Sequence, residues 1–326
     1  MLVASAILLT SALLCIRFLP EKKQEETLES DTETIHVVNE PIDNIDNINI
    51  VNKFGGYSVL KNADKKLIIE ELNNYPRNDS AYDDLANKVS SFIADKIVTD
   101  GNSNLEKYGL NVPQVQVSIK CKSNINIELF IGNEAPGNLG YYVKQKEDSK
   151  IYLVSSNNVA PFLKSKLDYI SLSITSPKSA DVNMKDMEYI ELIGGNRPEN
   201  IKITKNKTSG KDKNTVSYNI AEPINKKISN DGASIINSIE NICCKKIEMI
   251  APKQEDINNC GLNNPFVTLN LKYKNQDLIT IYVALIPDSE DCFVMRKDVD
   301  IIYRVEKADL DWLEISVDGL TKKSNN

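Results

Sequence analysis

The second half of the chain repeats a pattern found in the first half. Residues 107–113 read Lys-Tyr-Gly-Leu-Asn-Val-Pro, and residues 259–265 read Asn-Cys-Gly-Leu-Asn-Asn-Pro, so that Gly109 returns as Gly261, 152 residues later. Solenoid repeats are much shorter, about 20–50 residues. The long period therefore predicts two tandem copies of a small domain. It also allows each candidate site to be checked against the corresponding position in the other copy.

Alternating apolar residues keep the same offset on both sides of this motif. Val115, Val117 and Ile119 correspond to Val267, Leu269 and Leu271, and Ile127, Leu129 and Ile131 correspond to Ile279, Ile281 and Val283. Alternation with a period of two indicates half-buried strands. Apolar residues at i, i+3 and i+4 predict one helix per copy, over Ala81–Lys96 and Ala233–Lys246. The predicted class is α+β, with a mostly antiparallel sheet and one main helix in each copy.

The Gly-Leu-x-x-Pro element is predicted to be structural. Glycine permits a left-handed cap after a helix. Leucine is expected to fill the gap between helix and sheet, and proline fixes the start of the next strand.

The amino terminus predicts a membrane anchor. Met1–Ile16 contains no charged side chain, and Arg17-Phe18-Leu19-Pro20 closes the run, which is just long enough to span a bilayer. Two alternatives stay open: a cleaved signal peptide, and a lipoprotein signal, against which Leu14 before Cys15 counts. The predicted organisation is a membrane anchor at 1–19, a polar stalk at 20–43, the first repeat at 44–175, the second repeat at 183–318 and a polar tail at 319–326.

Charge argues against nucleic acid as a partner. The chain has 39 basic and 46 acidic side chains and a net charge of −7. Nucleic-acid backbones and anionic lipid headgroups attract basic patches, and no stripe of Lys and Arg interleaved with aromatic residues is present in the sequence. No nucleic-acid binding is predicted.

The cysteines are predicted to act as small apolar residues. Each of four aligns with an apolar or aromatic residue of the other copy: Cys121 with Tyr273, Cys244 with Ala94, Cys260 with Tyr108, and Cys292 with Tyr141. Buried cysteine used in packing gives this pattern. A disulfide that joins Cys243 or Cys244 to Cys260 or Cys292 stays open as an alternative.

No catalytic residue, cofactor or metal is predicted. His36, the only histidine, precedes the first copy, and the cysteines lack paired C-x-x-C spacing. Gly132–Gly140 lacks the Gly-Lys-Ser/Thr of a phosphate loop and is predicted to be a hairpin loop. Asp83 and Asp84 are expected in the first turn of a helix. A weak calcium site at Asp288, Glu290 and Asp291 stays open.

Several segments together resemble a known family. These are Tyr108-Gly109-Leu110-x-x-Pro113, Leu129–Gly132, Tyr141–Val143 and Ile151–Val154. They resemble the bacterial domain-of-unknown-function 4340 (DUF4340) family, over most of residues 44–315. Its members typically carry an amino-terminal membrane helix and often occur beside ABC-type transporter components. No catalytic residues are established for the family. In the second copy, Cys260 replaces the tyrosine and Ala284 stands near the position of Gly132.

The resemblance implies a single-pass protein of the cell membrane whose soluble part lies outside the cytoplasm. Arg17, Lys22 and Lys23 after the apolar run favour the opposite orientation. We expect a non-enzymatic module, accessory to an ABC-type transport system, that docks a transporter subunit through exposed sheet edges or the groove between copies. The alternative is a protein that binds a ligand or cell-wall fragment in that cleft, lined by aromatic residues such as Tyr141, Tyr142 and Tyr152. An enzyme is not expected.

Overall fold

Two large sheets organise the fold of the described residues, which in this computed structural model are 34–101, 104–122, 125–175, 187–207, 216–275 and 277–322. The predicted anchor at 1–19, including Cys15, lies outside these residues, as do the stalk up to residue 33 and the last four residues of the tail. Among the described residues, no helix has the length and apolar character needed to cross a membrane. The described residues from His36 onward belong to one compact unit.

The described residues of the first half form ten strands and two α-helices. The strands are β1 Ile35–Asn39, β2 Ile45–Asn52, β3 Gly55–Lys61, β4 Leu67–Ile68, β5 Ser91–Ala94, β6 Lys96–Asp100, β7 Val115–Cys121, β8 Asn126–Glu134, β9 Tyr141–Gln145 and β10 Lys150–Val154; the helices are α1 Asp79–Ser90 and α2 Ser156–Val159. Eight strands form a sheet in the order β4-β3-β2-β7-β8-β9-β10-β6, and β1 pairs with β5 in a separate small sheet.

In the second half, the part of the chain that the structure describes contains nine strands and three α-helices. The strands are β11 Met187–Gly194, β12 Ile201–Lys207, β13 Val216–Glu222, β14 Lys226–Lys227, β15 Lys246–Ile250, β16 Val267–Tyr273, β17 Ile279–Leu285, β18 Asp291–Arg296 and β19 Ile301–Glu306; the helices are α3 Asn230–Glu240, α4 Gln254–Asn259 and α5 Val317–Thr321. The sheet order is β14-β13-β12-β11-β16-β17-β18-β19-β15.

The pairings described within both large sheets are antiparallel. A sheet-rich α+β fold is therefore confirmed.

Alternating burial explains the first core. In β2, Ile48 and Ile50 are fully buried and lie opposite Ile119 and Val117 of β7. The same face carries Asn52, whose amide donates to the carbonyl oxygen of Phe162 at 3.0 Å. The segment around Phe162 contacts α1, so the helix covers this inner face.

Both predicted helices end earlier than the periodicity suggested. α1 begins after Asn78, whose side chain accepts a hydrogen bond from the amide of Ala81, and it stops at Ser90. Ser91–Ala94 forms β5 instead, with Phe92 and Ala94 buried. The apolar spacing from Val89 to Phe92 fits a helix, but pairing with β1 decides the conformation. In the second half, α3 stops at Glu240 and β15 begins at Lys246.

Two predicted boundaries also move. The expected stalk extended to residue 43, but residues 35–39 form β1, in which Val37 and Val38 are buried. The expected tail began at residue 319, but Gly319–Thr321 belongs to α5. Leu320 is fully buried, and its carbonyl oxygen accepts a hydrogen bond from the amide of Ser229 at 3.0 Å. Both ends of the described chain are therefore folded against their own half.

The leucine of the Gly-Leu-x-x-Pro element lies on the sheet face opposite to the one that α1 covers, and in the second half Ile257 of α4 packs against the cluster around Leu262. Leu110 is buried over Gly132, where an added Cβ would lie 3.1 Å from the Leu110 side chain. Gly132 follows Ile131 of the inner face, so it points to the opposite face of the sheet. Leu262 packs on Ala284, Met295 and Ile302. The element therefore covers the outer sheet face.

Candidate functional site

A groove of about 720 Å³ lies between the two halves of the chain. Three separate stretches line it. They are the β2–β3 turn with Phe54, Gly56 and Tyr57, the turn Ser165–Asp168 together with Leu172, and the strand segment Lys245–Ile250. A volume of this size is in the range of ligand and peptide sites, roughly 300–1,000 Å³. We refer to it as the docking groove.

Sheet edges border the docking groove on two sides. β15 is the last strand of its sheet and, in the described part of the chain, pairs only with β19. β3 pairs with β4 only at Leu60 and Lys61, so Gly55–Val59 has a described strand neighbour on the β2 side alone. An edge strand presents peptide N–H and C=O groups without a strand partner. The groove can therefore accept another extended chain.

A rigid turn supports the groove on the side of the first half. Ser165 caps the 3₁₀ turn Lys166–Tyr169, since its Oγ accepts from the amide of Leu167 at 3.1 Å and its own amide donates to Asp168 at 2.7 Å. The Tyr57 hydroxyl donates to the carbonyl oxygen of Lys164 at 3.1 Å. Burial raises the pKa of Tyr57 to about 12. These hydrogen bonds hold the turn that forms this side of the groove.

Two large apolar side chains of the groove face solvent. Phe54, at the tip of the β2–β3 turn, is 60% exposed, and Leu172 is 40% exposed. The Nζ of Lys53 lies over the Phe54 ring, 4.9 Å from its centre. Beside a groove, an exposed aromatic and an exposed aliphatic side chain offer apolar contact surface. We call Phe54 and Leu172 the apolar anchors.

The charges of the groove are largely balanced by ion pairs. Lys166 contacts Glu71, and Lys246 lies 3.1 Å from Glu248. Lys245 lies 2.9 Å from Glu306. A hydrogen bond from Arg304 lowers the pKa of Glu248. The groove therefore favours main-chain pairing and apolar contact over recognition of a net charge.

The tyrosines expected to line the cleft lie elsewhere. Tyr141 and Tyr142 belong to β9 and Tyr152 to β10, and they are not among the residues of the docking groove. The Tyr142 ring centre lies 4.8 Å from that of Tyr108. Tyr152 is buried, with its hydroxyl on Asp148. That aromatic lining of the cleft was a wrong prediction; the aromatic residues that line it are Phe54 and Tyr57.

Three of the aligned cysteines are buried as predicted: Cys121, Cys244 and Cys292. Burial raises the pKa of the Cys244 thiol to about 12, so it is neutral at physiological pH. Cys260 is half-buried against the cluster around Leu262, and Cys243 is exposed. The five cysteines of the described residues are unpaired, so the alternative disulfide does not form in this structure.

The remaining candidate residues from the sequence lie at positions with ordinary structural contacts. His36 is exposed on β1. The Gly132–Gly140 segment joins β8 to β9 as the predicted hairpin, with the Ala135 amide 2.7 Å from the carbonyl oxygen of Gly140. α1 begins at Asp79, so Asp83 and Asp84 lie beyond its first turn, contrary to the prediction. Asp84 instead lies 3.3 Å from Lys164.

The calcium alternative finds no support in the geometry. Asp291 interacts with Lys245 at 3.7 Å and with Arg304 at 3.6 Å. Within the described ranges, no group of three or more His, Cys, Asp or Glu side chains is placed to hold a metal ion.

Sequence reasoning missed the apolar anchors. Phe54 stands between Lys53 and the Gly55-Gly56 pair, and a large aromatic ring inside a turn of this kind is an unusual sequence feature. The position of Leu172 beside the groove could not be predicted, because no residue near it in the sequence indicates that β15 lies opposite.

Comparison with known proteins identifies one family. A family model described as a domain of unknown function (DUF4340) matches residues 69–265, which is more than half of the chain. No curated protein and no solved structure matches the chain.

Proposed function

This chain belongs to the DUF4340 family, a domain of unknown function, and we propose that it is a membrane-anchored docking module without enzymatic activity. Residues 1–19 would hold it in the cell membrane, with the folded part outside the cytoplasm, as an accessory of an ABC-type transport system. The observation that carries the docking role is the groove between two sheet edges, with Phe54 and Leu172 exposed beside it.

The partner in this proposal contributes an extended segment to the docking groove. The segment pairs through its main chain with the free side of β15, in the mode known as strand addition. Its side chains alternate between the two faces, so every second one contacts the apolar anchors. Main-chain pairing supplies affinity that depends little on sequence, and the anchors supply the preference for apolar residues.

We also propose that the two large sheets are two copies of one unit. Six neighbouring strands follow one another in the same spatial order in both sheets. They are β3-β2-β7-β8-β9-β10 in the first sheet and β12-β11-β16-β17-β18-β19 in the second. The 152-residue offset between Gly109 and Gly261 supports the same interpretation. The docking groove lies between these copies, so duplication would have created a site that one copy alone does not contain.

A second candidate function is the binding of a small molecule or cell-wall fragment in the same groove. The observation that favours it is the volume of about 720 Å³, with both polar and aromatic lining. The two functions can be distinguished by the molecule that stays bound in the groove during purification. A ligand site retains a small molecule, whereas a docking site retains a polypeptide.

The test is affinity purification of the tagged full-length protein from detergent-solubilised native membranes, with mass spectrometry of what co-purifies. The substituted protein carries Phe54→Asp and Leu172→Asp together. The control is Leu139→Asp, which changes a leucine about as exposed as Phe54 (62% against 60%) in the β8–β9 loop and outside the lining of the groove. We expect a transporter permease or ATPase with the wild type and the control, and at least a tenfold loss with the double substitution.

Recovery of the protein alone in all three samples would contradict a stable transporter complex. Equal recovery of the same partner in all three would contradict the docking groove and leave the transporter association standing. Thermal unfolding of each variant checks that the exposed substitutions leave the fold intact, since surface changes usually alter stability by less than about 0.5 kcal/mol.

A further inference from the structure

Three loops of the first half each expose a large apolar side chain. Phe54 lies in the β2–β3 turn and is 60% exposed, Val112 precedes β7 and is 80% exposed, and Leu139 lies between β8 and β9 and is 62% exposed. Val112 and Leu139 are outside the lining of the docking groove. Apolar surface gathered at one place marks a contact with a protein or a membrane, whereas scattered apolar residues do not. The relative positions of the three loops are therefore decisive.

The strand register places these loops at one end of the first sheet. In an antiparallel pair, the end of one strand lies beside the start of the other. Three cross-strand pairs have this arrangement: Val51 with Gln116, Val115 with Ile131, and Glu134 with Tyr141. The segments 52–55, 108–114 and 135–140 therefore leave the sheet at the same end. We call these three segments the apolar loops.

The apolar loops differ in charge from the chain as a whole. They contain one charged side chain, Lys53, in a protein whose net charge is −7. At the 152-residue offset, Asn264 replaces Val112, and the β17–β18 loop carries Asp288 and Glu290. Anionic headgroups repel acidic side chains and attract basic ones. The loops of the first half thus combine apolar surface with a charge that a lipid surface accepts.

The strand β6 starts at the same end of the sheet. Its first residue, Lys96, pairs with Leu153 of β10, and the next residue of β10, Val154, pairs with Tyr141 at the start of β9. Since β5 ends at Ala94, directly before β6, β5 runs towards the apolar loops.

The described part of the chain begins at this end as well. The amide of Glu40, directly after β1, donates to the carbonyl oxygen of Ser90, directly before β5, at 2.9 Å. The end of β1 therefore lies beside the start of its partner β5, and Ile35 at the start of β1 lies towards the apolar loops. Residues 20–33 connect this point to the predicted anchor at 1–19, and a chain of this length spans at most about 50 Å.

We propose that the apolar loops lie in the lipid interface of the membrane that holds the anchor, an inference that rests on the anchoring given under the proposed function. Phe54, Val112 and Leu139 enter the boundary between headgroups and acyl chains, where interfacial apolar side chains reach depths of about 5–10 Å. The ammonium of Lys53 extends to the phosphates. The first sheet then stands with one end on the bilayer, and the docking groove, which includes Phe54, lies close to the membrane.

The experiment measures the depth of single introduced tryptophans in the full chain, reconstituted into phosphatidylcholine vesicles. Val112→Trp and Leu139→Trp each add one indole to Trp312, which is the only native tryptophan and is fully buried. The matched control is Ile125→Trp, because Ile125 is 50% exposed in the β7–β8 loop at the opposite end of the same sheet.

We expect lipids with bromine near the headgroup end of their acyl chains to remove most of the fluorescence added at positions 112 and 139, and none of that added at position 125. Tryptophan itself favours the interface, and the control shares this preference. Val112→Asp, added to Leu139→Trp, should weaken the quenching at position 139. Quenching at positions 112 and 139 no stronger than at position 125 would overturn the proposal.

Flotation of the same vesicles separates this contact from the anchor. Protein that floats with the lipid without quenching at positions 112 and 139 would contradict the contact and leave the anchoring standing. Protein that does not float would contradict both. Photo-crosslinking benzoylphenylalanine at Val112 in native membranes should attach to lipid. Attachment to a protein in its place would assign the apolar loops to a protein partner and contradict the lipid contact.

Discussion

Arg296 holds the end of the first half against the core of the second: its Nη1 donates to the carbonyl oxygen of Ile174 at 2.9 Å. Arg296 is 1% exposed and also pairs with Asp298, at 2.7 Å from Nε. The amide of Ile174 donates to the carbonyl oxygen of Ile242 at 2.8 Å. Leu172, two residues earlier, is an apolar anchor, so this contact also positions one wall of the docking groove.

Replacement of this arginine should therefore destabilise the protein strongly. Arg296→Met fills a similar volume but removes the hydrogen bond to the carbonyl oxygen of Ile174 and the ion pair with Asp298. We expect a loss of about 3 kcal/mol in the free energy of unfolding, measured by urea denaturation. Hydrogen exchange at the Ile174 amide should accelerate more than exchange at Ile48.

The control for this change is Lys146→Met. Lys146 lies 2.9 Å from Glu128 in an exposed pair, and such pairs contribute at most about 1 kcal/mol. If Arg296→Met cost no more than Lys146→Met, the contact with Ile174 would not hold the two halves together.

Gly132 should tolerate no side chain. An added Cβ would lie 2.1 Å from the carbonyl oxygen of Tyr108, which is main chain and cannot move aside easily. Gly132→Ala should cost about 2 kcal/mol through overpacking. Gly101→Ala is the control, because an added Cβ there meets nothing within 4 Å. Thermal unfolding of both variants checks this, and equal melting temperatures would show that the Gly-Leu-x-x-Pro element does not press on β8.

Stability should fall with alkaline pH, partly because of Cys244. Burial raises the pKa of this thiol from 9.0 to about 12 in the folded protein. Below pH 9 both states hold the proton, and the full contribution to stability is present. Between pH 9 and 12 the unfolded chain loses the proton while the folded protein keeps it, so stability decreases, by at most about 1.4 kcal/mol per pH unit.

The measurement is the free energy of unfolding by urea between pH 8 and 10. Cys244→Ala should reduce the downward slope, whereas Cys243→Ala, at the exposed neighbouring position, should leave it unchanged. The same slope in both variants would mean that Cys244 is not the group responsible.

Much of the sheet was predictable, because alternating burial appears directly in the sequence. Ile48 and Ile50 in β2, and Val115, Val117 and Ile119 in β7, are strand positions whose apolar side chains are all buried. The end of α1 was not predictable from periodicity, since Phe92 suits both the helical spacing and β5. Only the pairing of β5 with β1 decides between them.

The docking groove could not be predicted, for a different reason. Its lining comes from residues 54–57, 165–172 and 245–250, which are more than 70 residues apart along the chain. Their proximity depends on the contacts of Ile174 with Ile242 and Arg296, which no local pattern encodes. The repeat predicted a cleft between copies, but its lining depends on how the copies pack.

The most direct test of the docking groove places a photo-crosslinking benzoylphenylalanine at Phe54 in the full-length protein in native membranes. The aromatic replacement keeps the character of the exposed ring, and the same residue at Leu139 serves as the matched control. We predict that position 54 crosslinks one transport-system subunit, through a segment whose peptide identified by mass spectrometry alternates apolar residues. Position 139 should not reach that subunit. Identical crosslinks from both positions, or crosslinks from position 139 alone, would contradict docking at this groove.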